Sequence, residues 1–528
     1  MEIQRLPSLP LPNILIIDDI GTPNLTNRPI YSKLLSPQQY HLYIITSKNG
    51  IHPEDKEVIK EGIELQDPTL TGQVELESIR LSNQCGGFIG IYCRQEDLIL
   101  RVAYLRQLLR INNGLQPYQA LAFRDKFIMK EMVFQNNKKR FHDGHGSSVH
   151  VHVLPYAKVV SPSTLIEFTT THGYPIIIKP VLGSASAGVK VISNSQELEN
   201  YISKDYFDSI TSDGSKMDIS GDYVVEKFIS FQSMYHVNGY YCKGKLECIW
   251  PFKYVNTNLG FTQGSSYGNI SLNYYDENSN IIMITKGLIE STLSILKSLP
   301  CPDHLIFHLE LFETEPNQFT LCEIAARRPG GSISLLIDQL CSGGGDGGIG
   351  LGFFPKYDVL ANLGFPLPPL PSKYFHSIPV HDDNFEYTKS ELTSNVQVSK
   401  EYGLWLPRDC IGDLMVPLSK GTLISIPLSG TCPIPNIQYY PIAKIGVQYD
   451  GFHIGRMNTA ARFVYFYHHH HDDQGDEQDS SLKTSTSKLL SVHDIENVFH
   501  QCEIWFREEC IYLNSEGQRV NGFGKSIK

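Results

Sequence analysis

Two glutamates past the middle of the chain are spaced as a facing pair. His308-Leu309-Glu310-Leu311-Phe312 and Phe319-Thr320-Leu321-Cys322-Glu323-Ile324-Ala325 read as strands on either side of a Pro316-Asn317 turn, the signature of a hairpin. A turn centred there sets Glu310 directly opposite Glu323. Like charges facing each other across a ladder repel, so such a pair on otherwise apolar strands calls for a cation. Hard oxygen donors suit Mg²⁺ or Mn²⁺. The competing reading is a solvated sheet face, but the alternation of Leu309, Leu311, Cys322 and Ile324 fixes both carboxylates on one side. Arg327, four residues past Glu323, falls near the same mouth.

Three further features precede the hairpin. Ile176-Ile177-Ile178 runs as a buried strand into Lys179, and Gly183-Ser184-Ala185-Ser186-Ala187-Gly188 follows. Small residues let backbone N–H groups approach phosphate oxygens, and a lysine at the strand end adds a point charge. The loop is not a Walker A loop, because no Gly-Lys-Ser/Thr closes it. Tyr223–Ile229 reads as a strand with Glu226 in its middle. It can offer backbone groups to an adenine edge while Glu226 takes a ribose hydroxyl or the exocyclic amine; read without its neighbours, it is merely an edge strand. Arg124-Asp125-Lys126 reads as the opening of a helix with Met129, Met132 and Val133 on its apolar side. Lys126 and Lys130, four apart, share a face, which an exposed helix would also explain.

These residues need strands and helices to position them, and the rest of the chain supplies the pattern. Its 528 residues predict three to four domains at about 100–200 residues each. Asn13–Asp18, Tyr43–Thr46 and Gly87–Tyr92 are short apolar runs that alternate with helix-period segments. In the clearest of these, Gln95–Leu109, the residues Leu98, Val102, Leu105 and Leu109 share a face. That alternation predicts an open parallel α/β sheet over about 1–118. Gly343–Gly352 is too glycine-rich to pack, and Pro366–Pro371 is stiff, so 343–404 reads as a connection. Residues 405–467 read as a small β-rich domain. His468–Ser487 is a polar low-complexity linker, its four histidines a solvated tract. Residues 488–528 hold a closing helix through Ile495, Phe499 and Phe506, then a tail.

Composition excludes several classes. Hydrophobic residues make up 41% and charged residues 19%, an ordinary globular profile. With 45 basic and 56 acidic side chains the formal charge is −11, so no basic footprint for nucleic acid exists. No run approaches the length of a membrane span, and the first residues lack a secretory pattern. Eleven cysteines with no CxxC pair read as reduced thiols of a cytoplasmic protein.

Taken in order, RDKFIMKE, HGYPIIIKP-VLGSASAGV, VVEKFIS, HLELF and CEIAARRPGG resemble the ATP-grasp superfamily, in particular its carboxylate–amine ligase branch, over about residues 85–340. The resemblance implies a multidomain α/β and α+β protein: an N-terminal open parallel sheet, a central ATP-grasp fold of two α+β lobes at 119–342 with a lid at about 160–230, and a small β-rich C-terminal domain with a closing helix. It implies ATP and Mg²⁺ (or Mn²⁺) as cofactors. Lys126, Lys179, Gly183, Ser184, Ser186 and Gly188 would serve the phosphates. Glu226, Lys227, Phe228 and Ile229 would hold adenine and ribose. Glu310 and Glu323 would ligate the metal, while Arg327, with Lys179, would act in catalysis. The implied partners are a small-molecule carboxylate and an amine, with a homodimer allowed. The competing reading is a catalytically impaired ATP-binding protein in a scaffold or regulatory role. Two positions depart from the family pattern: Ala325 stands where many members carry Asn, and Met234 precedes Tyr235-His236 where an acid is common.

Overall fold

The computed structural model describes residues 11–18, 29–142, 151–184, 186–206, 223–272, 279–342, 352–370, 372–381, 401–451, 459–467 and 490–527. Ala185, nearly all of the Gly343–Gly352 run and the His468–Ser487 tract lie outside them.

Four parallel strands open the chain: β1 (Asn13–Asp18), β2 (His41–Ser47), β3 (Glu61–Leu65) and β4 (Gly90–Cys93), in the order β3-β2-β1-β4. Ile14 to Ile17 are fully buried, as parallel strands covered on both faces must be. Helices Gln73–Cys85 and Ile99–Leu108 cover one face through Val74, Leu81, Val102 and Leu105. The other is covered from far along the chain by helix Phe353–Asn362, whose Val359 packs with Leu363 on Ile14, Ile16 and Ile44. The expected strand Gly87–Tyr92 starts three residues late because Gly86 and Gly87 take positive φ, of 80° and 105°. The helix expected from Gln95 starts at Ile99, after a turn closed by the Leu98 N–H on the Gln95 carbonyl.

A small antiparallel sheet follows: β5 (Tyr156–Val159), β6 (Ile176–Pro180), β7 (Lys190–Ile192) and β8 (Tyr223–Lys227), ordered β5-β8-β6-β7. Leu165 and Phe168 of helix Pro162–His172 pack on it. The central sheet has ten strands: β9 (Ser233–Cys242), β10 (Lys245–Val255), β11 (Tyr267–Ser271), β12 (His304–Glu315), β13 (Gln318–Ala325), β14 (Phe375–His381), β15 (Glu401–Pro407), β16 (Cys410–Pro417), and then β18 (Ile437–Pro441) and β20 (Thr459–Tyr467). Four short strands, β17 (Lys420–Ser425), β19 (Gln448–Asp450), β21 (Ile511–Leu513) and β22 (Arg519–Asn521), form a fourth sheet.

Residues 405–467 are therefore not set apart. Their strand β16 pairs with β11, from Tyr267↔Met415 to Ile270↔Gly412, and carries the central sheet onward in the order β13-β12-β9-β10-β11-β16-β20-β18. Every residue of β16 is buried, which marks an interior strand rather than the edge of a small barrel. The stretch read as a connection likewise holds helix Phe353–Asn362 and strands β14 and β15. The closing helix, Val492–Glu509, carries a Ser491/Asp494 capping box and buries Ile495, Phe499, Cys502 and Phe506. It lies so close to β16 that a Cβ on Gly412 would come within 3.1 Å of the Phe499 ring. No helix among the described residues is long and apolar enough to cross a membrane.

Candidate functional site

The hairpin forms as its sequence predicts. β12 and β13 pair antiparallel with Glu310 opposite Glu323, and His308 faces Ala325 two residues along. Between the glutamates and the turn the register slips at Cys322, then recovers beyond Glu313. A bulge frees backbone groups and re-aims the side chains beside it. Here the carbonyls of Leu321 and Cys322 both accept from Lys130 Nζ, each at 3.1 Å. A fully buried lysine thus anchors the bulge that presents Glu323.

Lys130 comes from helix Lys126–His142. Arg124 does not open this helix; it ends the preceding one, Pro117–Arg124. Asp125 stands between the two helices, and its carboxylate accepts from the N–H groups of Phe127 and Ile128 at 2.9 and 3.0 Å, which caps the first turn. That break aims Lys126 into a cleft while Lys130, one turn on, points beneath it. Lys126 Nζ lies 2.8 Å from Glu323 Oε2 and 2.6 Å from the carbonyl of Gly183. It joins the hairpin carboxylate to the root of the small-residue loop.

The cleft, of about 310 Å³, lies between the small sheet and the central one. Lys126, Lys179, Gly183, Ser184 and Ser186 line it together with Glu310 and Glu323, and so do Lys227, Phe228 and Ile229. Ile177, Phe231, Met234, Leu259 and Phe312 form apolar walls. Ser186 and Gly188 hold positive φ of 59° and 70°, and N–H groups at Gly183 and Ala187 close two successive turns on Pro180 and Ser184. Gly188 does not line the cleft; its backbone bends the loop back toward β7.

Glu226 is not among the residues that line the cleft. It sits on β8 opposite the cleft-lining Ile177 of β6, buried, with Oε2 at 3.1 Å from Lys179 Nζ and 3.4 Å from Lys130 Nζ. Burial disfavours its charge, yet the two ammonium groups hold it below the usual glutamate range. The reciprocal effects split the lysines. Burial opposes the charge of Lys179, but Glu226, with Cys322 and Glu323 behind it, holds Lys179 above the ordinary lysine range. At Lys130 burial prevails over Glu226 and pulls the ammonium down. Glu226 therefore supports Lys179 at the strand end. Lys227 Nζ donates to the Tyr174 carbonyl at 2.8 Å, and the Phe228 N–H to that of Pro175 at 3.1 Å, tying this strand to the start of β6.

Arg327 does not line the cleft. Its guanidinium donates to Glu96 from the N-terminal unit, while Arg124 takes the other oxygen of the same carboxylate. Arg124 also donates to the Leu182 carbonyl at 2.6 Å. Glu96 thus clamps Arg327 to the loop root. Burial pulls Arg327 down to about 10 against the opposing field of Asp358.

Each hairpin carboxylate has its own support. Tyr254 OH donates to Glu310 Oε1 at 2.6 Å, and His308 Nε2 lies 3.5 Å from the same oxygen. Burial pushes Glu323 up, but Lys126 outweighs it, with Lys179 and His308 adding to the effect, and the carboxyl ends at about 2. The stored repulsion expected of two facing carboxylates is therefore offset by Lys126. Among the described residues no three His, Cys, Asp or Glu converge into a complete metal cage. Two hard carboxylates beside two lysines fit instead a Mg²⁺ or Mn²⁺ ion that shares its shell with phosphate oxygens. Glu310 and Glu323 would hold it.

Sequence reasoning missed Glu96, Tyr254 and the supporting role of Lys130. Only Lys130 left a signal, its spacing from Lys126.

Residues 172–335 match the ATP-grasp domain family. Among solved structures, the L-amino acid ligase from Bacillus licheniformis superposes with a TM-score of 0.60 at 14% identity, covering 96% of this chain and 99% of that one. N5-carboxyaminoimidazole synthetase from Staphylococcus aureus, complexed with ADP, gives 0.50 at 14% identity, covering 86% and 93%. Biotin carboxylase from Campylobacter jejuni gives 0.50 at 12%, covering 87% and 88%. No curated protein matches the sequence. The chain has the ATP-grasp fold, and residues 172–335 are its ATP-grasp domain.

Proposed function

We propose that this protein is an ATP-dependent carboxylate–amine ligase: it activates a carboxylate as an acyl-phosphate, joins it to an amine and releases ADP and phosphate. One observation carries the reading. Glu310 and Glu323 stand in register at the end of the cleft where Lys126, Lys179 and the Gly183–Ser186 turns converge. A scaffold that had only kept the fold gains nothing from two facing carboxylates with a lysine between them and a phosphate-sized loop. The L-amino acid ligase that matches along almost its whole length supports an amino acid as one substrate.

The chemistry follows from charge. A carboxylate must approach a polyanion, so negative charges must be neutralised and aligned. Lys179, held charged by Glu226, and Lys126, released from Glu323 when that carboxylate takes a cation, are the groups of this chain that do so. Bound Mg²⁺ would supply further charge neutralisation along the phosphates. The walls Ile177, Met234, Leu259 and Phe312 would sandwich the base, with Lys227, Phe228 and Ile229 at its edge. The loop Gly183–Gly188 would close over the phosphates and exclude water from the acyl-phosphate. Arg327 would act from the rim, through the Glu96 clamp. Eleven free cysteines suit the reducing cytoplasm to which we assign the protein.

The test is ADP formation with MgATP across a panel of amino acids and small acids, alone and in pairs. Stimulation by a pair, abolished by Glu310→Gln, supports the ligase; nucleotide binding without stimulation supports the scaffold.

A further inference from the structure

The connection from β10 to β11, residues 256–266, exceeds the ordinary hairpin loop of about 2–5 residues. Its outgoing limb forms part of the cleft, which Thr257, Leu259, Gly260 and Gln263 all line. The fastenings within the loop are local. Thr257 Oγ1 accepts from the Gly260 N–H at 3.0 Å and caps helix Asn258–Thr262. Phe261 is buried beside the ring of Tyr267, and Asn256 Nδ2 spans the base of the loop to the Ser266 carbonyl at 2.8 Å. A helix this short closes few hydrogen bonds and is not stable by itself. The chain then reverses at Gly264, where φ is 92°, with Gln263, Gly264 and Ser265 exposed.

The closing helix, none of whose described residues lines the cleft, holds this return limb. Glu503 and Arg507 stand one turn apart on a shared face. Glu503 Oε2 accepts from the Ser266 hydroxyl at 2.5 Å, and its other oxygen takes Arg507 Nε at 2.8 Å. Arg507 Nη2 donates to the Gly264 carbonyl at 3.1 Å. Its Nη1 reaches the Gly522 carbonyl at 3.3 Å, which also accepts from the Ser419 hydroxyl at 2.7 Å. The Gly522 N–H returns to the Arg507 carbonyl at 2.7 Å, so the root of the buried side chain is fixed as well. Each guanidinium nitrogen thus has its own partner, on the helix, the loop and the C-terminal segment. A planar fork meets that demand; the single ammonium of a lysine does not. Ile495, Phe499, Cys502 and Phe506 seat the helix on the core, which leaves Glu503 and Arg507 to serve the loop.

With the cleft read as the nucleotide site, we propose that Arg507 and Glu503 are positioning residues of that site. From the closing helix they hold residues 256–266 so that Thr257, Leu259, Gly260 and Gln263 stand as a formed wall before MgATP arrives. A wall ordered in advance spares the ligand that cost. A loosened wall lowers the fraction of protein competent to bind, and the apparent affinity falls by the same fraction.

The experiment uses the full-length protein with Mg²⁺ and the non-hydrolysable nucleotide AMP-PCP, read by calorimetry and by backbone hydrogen exchange. Arg507→Lys keeps the charge but loses the fork. It should raise the Kd about 10-fold and speed exchange across residues 259–265 in the nucleotide-free protein, a difference that narrows once nucleotide binds. Ser266→Ala removes only the hydroxyl that Glu503 accepts and should raise the Kd by about 2–5-fold. Phe499→Leu is the control: this side chain packs near Gly412 of β16, so the change should lower the Tm without moving the Kd. An unchanged Kd in folded Arg507→Lys, or in Ser266→Ala should that variant not fold, overturns the inference and leaves the ligase reading standing. So does an equal rise in Phe499→Leu, which would show that any loosening of the helix has this effect. Wild-type protein that binds no nucleotide overturns both.

Discussion

Replacing Glu323 by Gln tests whether Lys126 or carboxylate repulsion governs the metal-free site. Two facing carboxylates considered alone would make Glu323→Gln stabilising. The structure reverses that sign. Lys126 sits 2.8 Å from Glu323 and outweighs the cost of its burial, so that the carboxyl lies at about 2 rather than 4.5. A depressed folded-state value means stability that is present above the unfolded value and lost as pH falls through the folded one. The full displacement corresponds to about 3 kcal/mol, and solvent reaching the 29% exposed carboxylate reduces it to about 1–3 kcal/mol. In chelator at pH 7, Glu323→Gln should therefore unfold at lower denaturant than wild type. The gap should narrow below pH 4.5 and close near pH 2. Adding Mg²⁺ and ATP should widen it, because wild type gains bound-state stability that the variant lacks. Denaturant unfolding at three pH values, with chelator and with Mg²⁺–ATP, reads all of this. A variant more stable than wild type in chelator at pH 7 would refute the assignment of Lys126 as the compensating charge.

Other perturbations separate the lysines and the loop. Glu226→Gln strands the buried Lys130 with only two carbonyls and should cost about 3–5 kcal/mol, more than Glu323→Gln; equal or smaller loss in urea unfolding would show that Lys130 is not held by charge. Lys179→Ala removes a charge-assisted contact from the cleft and should raise the ATP Kd by about 10–100-fold, or 1.5–3 kcal/mol; calorimetry showing unchanged affinity would place the phosphates elsewhere. Replacing Ser184–Ala187 by a shorter linker should leave folding intact but uncouple ATP hydrolysis from amide formation; intact coupling would remove the loop from the mechanism.

How much was legible in the sequence depended on whether a residue's role was local. The hairpin register came from the Pro316-Asn317 turn and strict alternation, both short-range signals, so Glu310 and Glu323 were found opposite each other. Lys179 and the loop after it followed from a strand running into small residues. Glu226 was placed on the right strand, but its burial against two lysines was not legible. A period of two says only that its neighbours point the other way, and the third dimension is needed to bring Lys179 and Lys130 against it. Arg327 was read by its distance from Glu323, while its true partner, Glu96, lies 231 positions earlier. The C-terminal strands look like a separate unit because glycines and prolines punctuate them. Burial of β16 along its whole length, which makes it part of the central sheet, is a property of what packs on it.

Transfer of oxygen from substrate to phosphate tests the central claim most directly. Amino acids carrying ¹⁸O in the carboxylate, supplied with MgATP and an amine, should return one ¹⁸O in each phosphate released, because the acyl-phosphate oxygen leaves with phosphorus when the amine attacks. ADP formation that no carboxylate stimulates, or phosphate that stays unlabelled while an amide accumulates, would contradict it.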